Sequence, residues 1–202
     1  MSELNMVCLD LEGVLCPEIW IAFSRAAGIP ELSRTTRDEP DYDKLMKYRM
    51  AILNEKGLGL PDIQRVIGGI EPMEGAREFL DDLRERTQVL IISDTFTQFA
   101  RPIMEKLGWP TLMCNALVTD EKGRIVDYRI RVKQSKLTTV RGLQNMGFDT
   151  IACGDSYNDL GMIRESKAGF LFRTTEKIAR DNPDIEAFER YDDLLKAIEK
   201  AL

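Results

Sequence analysis

The sequence predicts an α/β fold, with a Rossmann-like parallel sheet as its core, an inserted helical cap and a small β-hairpin. Three observations support this prediction. Short apolar runs alternate with helical patterns along most of the chain, two segments break that alternation, and acidic residues follow several of the apolar runs directly. A continuous apolar run is typical of a strand that is buried on both faces, as in a parallel sheet.

Four apolar runs are the predicted strands: Met6–Leu9, Val89–Ile92, Ile151–Cys153 and Gly169–Phe172. Apolar residues repeat at helical spacing between these runs and predict three helices: Ala76–Leu83, Phe96–Leu107 with a bend at Pro102, and Leu137–Leu143. Ser135 is the candidate N-cap of the third helix, and Gly147 is the candidate residue that ends it. Strands that alternate with helices indicate a parallel sheet.

Two segments differ from this pattern. Residues 17–71 contain helical patterns and no convincing strand, and the helices predicted there are Ile19–Ala27, Tyr42–Lys56 and Pro61–Ile67. We therefore predict a helical cap at residues 16–72, inserted into an α/β core formed by residues 1–15 and 73–202. Residues 116–132 read ALVT, the turn DEKG and RIVDYRIRV, which predicts a hairpin.

The composition excludes several classes of protein. The net charge is −6 and no run of Lys or Arg occurs, so we expect no nucleic-acid partner. No apolar stretch approaches the roughly 20 residues of a membrane helix, so we expect no membrane association. The N-terminus lacks the features of a signal peptide and the four cysteines are scattered, which indicates reduced thiols in a cytoplasmic protein. The sequence leaves open whether the protein forms a homodimer.

Histidine is absent from the sequence. A Ser-His-Asp or Cys-His catalytic site is therefore excluded, and so is a zinc site with histidine ligands. Any chemistry must use carboxylates, hydroxyls, Lys, Arg or a hard metal ion.

Polar residues follow three of the predicted strands at the points where those strands end, and a lysine opens one helix. In chain order the set consists of Asp10, Glu12, Ser93, Asp94, Lys136, Asp155, Asn158 and Asp159. Because ligands of an open parallel sheet bind at the carboxyl ends of its strands, we expect these residues to lie together. Each alone has an ordinary explanation as a cap, a turn residue or a solvated charge, but their joint occurrence favours a catalytic site.

The carboxylates of this set suit phosphoryl transfer. Asp10, Asp155 and Asp159 offer hard oxygen ligands for Mg²⁺, although Mn²⁺ has similar preferences. Asp10 is also a candidate nucleophile, since a carboxylate that attacks phosphorus gives an aspartyl-phosphate. Glu12 is the candidate to protonate a leaving alcohol and then deprotonate water, which requires a raised pKa.

The motifs DLEGVL, SDT, a lysine and GDSYND, in this order, resemble those of the haloacid dehalogenase-like phosphohydrolases, and within them the phosphoserine phosphatase group. The opening DLEGVLCPEIW is most similar to bifunctional members that also transfer the phosphoryl group to homoserine. The resemblance extends from Asp10 to about Phe172. It implies an enzyme that depends on Mg²⁺, acts on L-phosphoserine, and uses water or L-homoserine as the acceptor.

The resemblance also implies a role for each matching position. Asp10 is the nucleophile, and Glu12 is the general acid and base. Glu18 holds the substrate ammonium and Arg49 its carboxylate. The remaining assignments are phosphate binding by Ser93, Asp94 and Lys136, substrate binding by Asn158, Mg²⁺ binding by Asp10, Asp155 and the main-chain carbonyl of Glu12, and support of the metal site by Asp159.

Glu12 departs from the family pattern, which has aspartate at this position. Glutamate is one methylene longer, and we hypothesise that it suits an alcohol acceptor. Two other functions stay open: a phosphatase for another small phosphomonoester, and a non-catalytic homologue that senses a phosphorylated metabolite.

The two cap residues have alternative explanations. Arg49 shares a helix face with Leu45, Ile52 and Leu53, and a guanidinium inside an apolar stripe either reaches out to solvent or binds an anion. Glu18 lies where an acid ordinarily stabilises a helix N-terminus. Together, an Arg and a Glu that face the site would bind an α-carboxylate and an α-ammonium.

Overall fold

The computed structural model describes residues 4–35, 38–39 and 41–202. Across these residues, one sheet of seven strands forms the core of the fold. The strands are β1 Asn5–Leu9, β2 Gln88–Phe96, β3 Thr111–Thr119, β4 Ile125–Arg129, β5 Asp149–Gly154, β6 Ala168–Phe172 and β7 Ala187–Phe188. Their order is β4-β3-β2-β1-β5-β6-β7, and neighbouring strands are parallel except for β3 and β4. The predicted parallel α/β fold is confirmed, with β3 and β4 as the hairpin.

Four α-helices of the described residues lie between β1 and β2, and three of them fall in the segment predicted as the cap: α1 Ile19–Ala27, α2 Tyr42–Glu55 and α3 Leu60–Ile67. The other helices are α4 Ala76–Arg84, α5 Thr97–Lys106, α6 Ser135–Asn145, α7 Leu160–Glu165, α8 Glu176–Asp181 and α9 Tyr191–Ala201. Helix α3 packs against both α1 and α5, so the inserted helices contact the core. Within the described part of the chain, no helix is both long enough and apolar enough to cross a membrane.

Helices cover both faces of the sheet, which explains why its strands read as continuous apolar runs. In β1, Val7 and Leu9 belong to a cluster that includes residues of α1, α3, α4, α5 and α9. Cys8 points to the other face and packs with residues of α6 and α7, among them Val140 and Met162. All three strand residues are fully buried. Neither face of β1 therefore has room for a polar side chain before the strand ends.

The sequence placed the end of β2 at Ile92, but this prediction is wrong. The strand continues to Phe96, and its pairing with β3 changes register between these two residues. Ser93 and Asp94 therefore lie within an irregular stretch of the strand instead of after it. Such irregularities are common next to active sites, where they re-aim side chains.

The N-cap assigned to α6 is also wrong. The helix begins at Ser135, and the preceding residue, Gln134, has a positive φ of 48° and makes no side-chain capping bond. The Ser135 hydroxyl instead donates a hydrogen bond to Asp94 Oδ1 at 2.9 Å. The contact with Asp94 therefore uses the Ser135 hydroxyl that the local sequence pattern assigned to capping of the helix. Gly147, with a φ of 93°, follows the end of the helix as predicted.

Candidate active site

The carboxyl ends of three neighbouring strands bring the polar residues together. Asp10 directly follows β1, and its main-chain N–H donates to the Cys153 carbonyl of β5 at 3.0 Å, which holds the first acid in line with the sheet. Asp155 directly follows β5, and Ser93 comes from the irregular part of β2. Because β1, β2 and β5 run parallel, all three side chains lie at one edge of the sheet.

Lys136 is an ammonium shared by two buried carboxylates. Its Nζ lies 2.8 Å from Asp10 Oδ2 and 2.5 Å from Asp159 Oδ1. Burial alone would lower the pKa of Lys136, but the charges of Asp10 and Asp159 outweigh it and raise that pKa, so the side chain stays charged. Burial raises the pKa of Asp10, and Lys136 opposes this rise. The alternative explanation of Lys136 as a solvated charge is excluded, since its side chain is 4 % exposed.

A group of three carboxylates surrounds this lysine. Asp10, Asp155 and Asp159 each place one oxygen within 4.8 Å of the other two. Burial, followed by the charges of Asp159 and Glu18, raises the pKa of Asp155 to about 7. A side chain at position 13 would overlap the Asp155 carboxylate, so Gly13, with a φ of 82°, is required for this approach.

The three carboxylates differ in how their oxygens are used. Asp159 Oδ1 accepts from Lys136, and its Oδ2 accepts from the main-chain N–H groups of Asp155 and Ser156 at 3.1 and 3.0 Å. Within the described residues, no side chain donates a hydrogen bond to the Asp155 carboxylate. One lysine cannot balance three carboxylates, and hard oxygens at this spacing fit a divalent cation such as Mg²⁺.

Glu12 lies apart from the carboxylate group, toward the cap. Its Oε2 accepts the main-chain N–H of Ile19, the first residue of α1, at 2.9 Å. Burial, followed by the negative charge of Glu18, raises the pKa of Glu12 to about 8. A carboxyl group with this pKa can donate a proton near neutral pH, which is what a general acid requires.

Asp94 connects β2 to two other elements of the site. Its Oδ1 accepts from the Ser135 hydroxyl at 2.9 Å, and its Oδ2 accepts from Asn158 Nδ2 at 3.2 Å. Since Ser135 precedes Lys136 in α6, this carboxylate ties β2 to the helix that carries the ammonium. Ser93 is buried beside it, and its hydroxyl oxygen accepts the main-chain N–H of Thr95 at 3.2 Å.

Arg49 of α2 is buried, with 5 % of its surface exposed, so it does not reach out to solvent. Its guanidinium lies 4.4 Å above the Trp20 ring, and its Nη2 donates to the Arg34 carbonyl at 2.7 Å. Its Nε is buried without a hydrogen-bond partner. Burial lowers the pKa of Arg49 to about 10. A buried guanidinium with an unpartnered N–H is suited to an anion, because only a further acceptor would satisfy that N–H.

Glu18 occupies the N-cap position of α1 but makes no side-chain capping bond, since Glu12 accepts the first helical N–H instead. The carboxylate of Glu18 is exposed and close enough to Glu12 to raise its pKa. Glu18 therefore does not stabilise the N-terminus of α1 through a side-chain hydrogen bond.

A cavity of about 530 Å³ adjoins the site and is lined by Tyr42, Asp94, Asn115, Ile130, Val132, Gln134, Ser135, Lys136, Leu137, Asn158 and Gly161. Three residues near the site were missed by the sequence analysis. Tyr42 places its hydroxyl 3.5 Å from the Asp94 carbonyl, Asn115 donates to the same carbonyl at 3.0 Å, and Thr95 lowers the pKa of Glu12. Only the third, Thr95, belongs to a recognised motif, SDT. The others come from α2 and β3 and meet the site through the fold alone.

Comparisons with known proteins identify the family of this chain. A model of the haloacid dehalogenase-like hydrolases matches residues 4–167. A phosphoserine phosphatase of Pseudomonas syringae pv. tomato is 51% identical over 98% of this chain and 83% of its own length. The phosphoserine phosphatase ThrH of Pseudomonas aeruginosa is 50% identical over 98% of this chain and 97% of its own length.

Solved structures share the fold at lower identity. The structure of a phospho-aspartyl intermediate analogue of phosphoserine phosphatase has a TM-score of 0.79 at 22% identity, covering 97% of this chain and 99% of that one. A substrate-bound phosphoserine phosphatase has the same TM-score and identity, covering 98% and 99%. The match of the family model over most of the chain confirms the predicted family. The chain belongs to the haloacid dehalogenase-like hydrolases.

Proposed function

We propose that this protein hydrolyses L-phosphoserine through an aspartyl-phosphate on Asp10, and that it also transfers the phosphoryl group to L-homoserine. The observation that carries the proposal is the pairing of two buried features. The Asp10–Lys136–Asp159 cluster suits a transferring phosphoryl group, and the unpartnered Nε of Arg49 suits a carboxylate. The names of the two Pseudomonas relatives support the same substrate.

In the first step, a carboxylate oxygen of Asp10 bonds to phosphorus while the bond from phosphorus to the serine oxygen breaks. Glu12 gives its proton to that oxygen, and free serine leaves. In the second step, the oxygen of water or of homoserine bonds to phosphorus, the bond to Asp10 breaks, and the acceptor proton goes to Glu12. Lys136 and Ser93 stabilise the charge on the phosphoryl oxygens in both steps.

The carboxylates fit Mg²⁺ as the cofactor. We assign its direct side-chain ligands to Asp10 and Asp155, with the main-chain carbonyl of Glu12 as a further ligand. Asp159 supports the site, because its oxygens already accept hydrogen bonds. The bound cation would neutralise charge on the phosphoryl oxygens and offset repulsion among the carboxylates.

Two further assignments belong to the proposal. The cap is residues 16–72 and the core is residues 1–15 and 73–202, in accord with the position of α1, α2 and α3 between β1 and α4. A cytoplasmic location is supported by four free cysteines, of which Cys8, Cys16 and Cys153 are buried and Cys114 is half-buried.

Turnover of L-phosphoserine with Mg²⁺, in the presence and absence of L-homoserine, tests the proposal directly. We expect free phosphate in both reactions and phosphohomoserine only when homoserine is added. Free phosphate alone would leave a plain phosphatase. A protein that forms neither product would be a phosphatase for another phosphomonoester or a sensor, and beryllofluoride trapping at Asp10 would separate those two.

Replacing Arg49 tests the substrate carboxylate. We expect Arg49→Met to raise the KM for L-phosphoserine about 100-fold, because loss of one partner of a buried charge pair costs about 2 to 5 kcal/mol. Phosphoethanolamine lacks the carboxylate, so its KM should change little. Arg25→Met, an exposed arginine in the last turn of α1, is the matched control. Equal losses on both substrates would contradict the assignment.

Addition of Mg²⁺ should stabilise the metal-free protein. A ligand present at 100 times its Kd adds about 2.7 kcal/mol to the free energy of unfolding. We expect Asp155→Asn to lose most of this gain, whereas Asp82→Asn, an exposed aspartate on α4, should retain it. Thermal unfolding with EDTA and with Mg²⁺ measures the difference. An equal Mg²⁺ effect in all three proteins would place the cation elsewhere.

A further inference from the structure

Helix α2 positions two residues over the site from the cap side. Tyr42, Met46 and Arg49 recur at helical spacing and share one face. Tyr42 reaches the Asp94 carbonyl at 3.5 Å, and Arg49 is buried against Trp20. The orientation of α2 therefore fixes where the guanidinium that we assign to the substrate carboxylate lies.

The neighbouring face of α2 is tied to the β-hairpin. The Tyr128 hydroxyl of β4 donates to Asp43 Oδ1 at 2.8 Å, and Lys47 pairs with Asp43 Oδ2 at 2.5 Å. Among the described residues, the bonds to Tyr128 and to the Asp94 carbonyl are the side-chain hydrogen bonds that join α2 to the core. The bond to Tyr128 is the shorter one and has a charged acceptor, so it is the stronger.

The half-buried Tyr128 side chain packs on the core side. It pairs with Leu117 across the hairpin, and its ring makes edge-to-face contacts with Tyr42 at 5.8 Å and Phe96 at 6.4 Å. The hydroxyl therefore presents a fixed donor to Asp43. The proposed mechanism does not use this tyrosine, and no motif in the sequence pointed to it.

The same hairpin contacts a second cap helix. The main-chain N–H of Leu60, the first residue of α3, donates to the Gly123 carbonyl in the hairpin turn at 2.8 Å. A Cβ at Gly59 would lie 2.9 Å from that carbonyl oxygen, so the two backbones are in close contact. The hairpin thus touches the cap at both α2 and α3, and loss of one contact would loosen the cap without detaching it.

We propose that Tyr128 is a positioning residue: through Asp43 it holds α2 closed over the phosphoryl site, and it thereby sets the share of the phosphoryl group that passes to water. This inference rests on the proposed function. A closed cap keeps Arg49 in place to orient an amino-acid acceptor and limits entry of water to the aspartyl-phosphate. A looser cap favours water, since water needs no orienting guanidinium.

Tyr128→Phe tests the inference, because it keeps the ring contacts and removes only the hydroxyl. One such hydrogen bond corresponds to a change of about threefold to tenfold in an opening equilibrium. We expect the KM for L-phosphoserine to rise and the ratio of phosphohomoserine to free phosphate to fall by a factor in that range. Hydrogen exchange in residues 42–55 should accelerate by a similar factor.

Two further variants control for general damage. Tyr48→Phe makes the same chemical change within α2, where no described residue hydrogen-bonds to the hydroxyl, and it should match the unmodified protein. Asp43→Asn removes the charged acceptor and should resemble Tyr128→Phe. In the double variant Tyr128→Phe/Asp43→Asn the effects should not add, because both substitutions break one contact.

The outcomes separate this inference from the proposed function. If the unmodified protein releases no phosphate from L-phosphoserine, the proposed function fails. Hydrogen exchange then tests whether Tyr128 holds α2 in place, and faster exchange in Tyr128→Phe still supports this role. Unchanged exchange in α2 overturns it, whatever the substrate is. An unchanged KM and product ratio in an active enzyme would also overturn it.

Discussion

Asp10→Asn should abolish turnover of L-phosphoserine, with a loss of at least about 10⁴-fold in kcat, because the amide has no anionic oxygen to attack phosphorus. The substitution is nearly isosteric, and its carbonyl oxygen can still accept the Leu11 N–H that Asp10 Oδ1 accepts at 2.7 Å. Lys136 loses its partner Asp10 in this variant but keeps its ion pair with Asp159 at 2.5 Å, so the fold should survive and a folded but inactive protein is the expected result.

The covalent intermediate gives a second readout for this variant. Rapid quenching should show a phosphorylated protein in the unmodified chain and none in Asp10→Asn. Asp149→Asn is the matched control, because Asp149 lies at the opposite end of the sheet, where β5 begins. Residual turnover within tenfold of the unmodified enzyme would mean that another group is the nucleophile.

Lys136→Met should both inactivate and destabilise the protein. Methionine fills much of the space of the lysine but leaves Asp10 and Asp159 without their cation. Removal of one partner from a buried ion pair costs about 3 to 5 kcal/mol, since the charge left behind is uncompensated. Urea unfolding in EDTA, where no divalent cation can replace the ammonium, measures this loss.

An exposed lysine provides the comparison for Lys136. Lys196 pairs with Asp193 at 3.8 Å, and its side chain is 69% exposed. Lys196→Met should cost less than about 1 kcal/mol, because water screens such a pair. Similar losses in the two variants would show that the buried cluster does not depend on its lysine.

Local sequence patterns predict this fold accurately where the signal is short-range. Helix α1 has the predicted bounds, Ile19–Ala27, because its apolar spacing and the glycine that follows act locally. Local patterns predict the structure wrongly where groups distant in sequence compete for the same atoms. Asp94 uses the hydroxyl of Ser135, and pairing with β3 extends β2 through polar residues that read as its end.

The same distinction applies to the site. The apolar runs of parallel strands can be located in a sequence even where, as in β2, the strand continues beyond its run, so the convergence of Asp10, Ser93 and Asp155 was predictable from the rule for parallel sheets. The apolar stripe alone favours an Arg49 that reaches out to solvent, because this is the commoner outcome, and only the family resemblance assigns the guanidinium to an anion. The bond between Tyr128 and Asp43 joins residues 85 positions apart, and no local pattern reports such a contact.

The hydrogen bond from Ile19 N–H to Glu12 has a consequence for any experiment at position 12. Glu12, the proposed proton donor, also accepts the first main-chain N–H of α1, the first helix of the proposed cap. Loss of such an N-terminal hydrogen bond costs about 0.5 to 2 kcal/mol. Aspartate, one methylene shorter, would move the acid and release the start of α1 in a single substitution. A changed preference between water and homoserine in Glu12→Asp would therefore combine an effect on proton transfer with an effect on the position of the cap. A second variant that alters the cap alone is needed to separate the two effects.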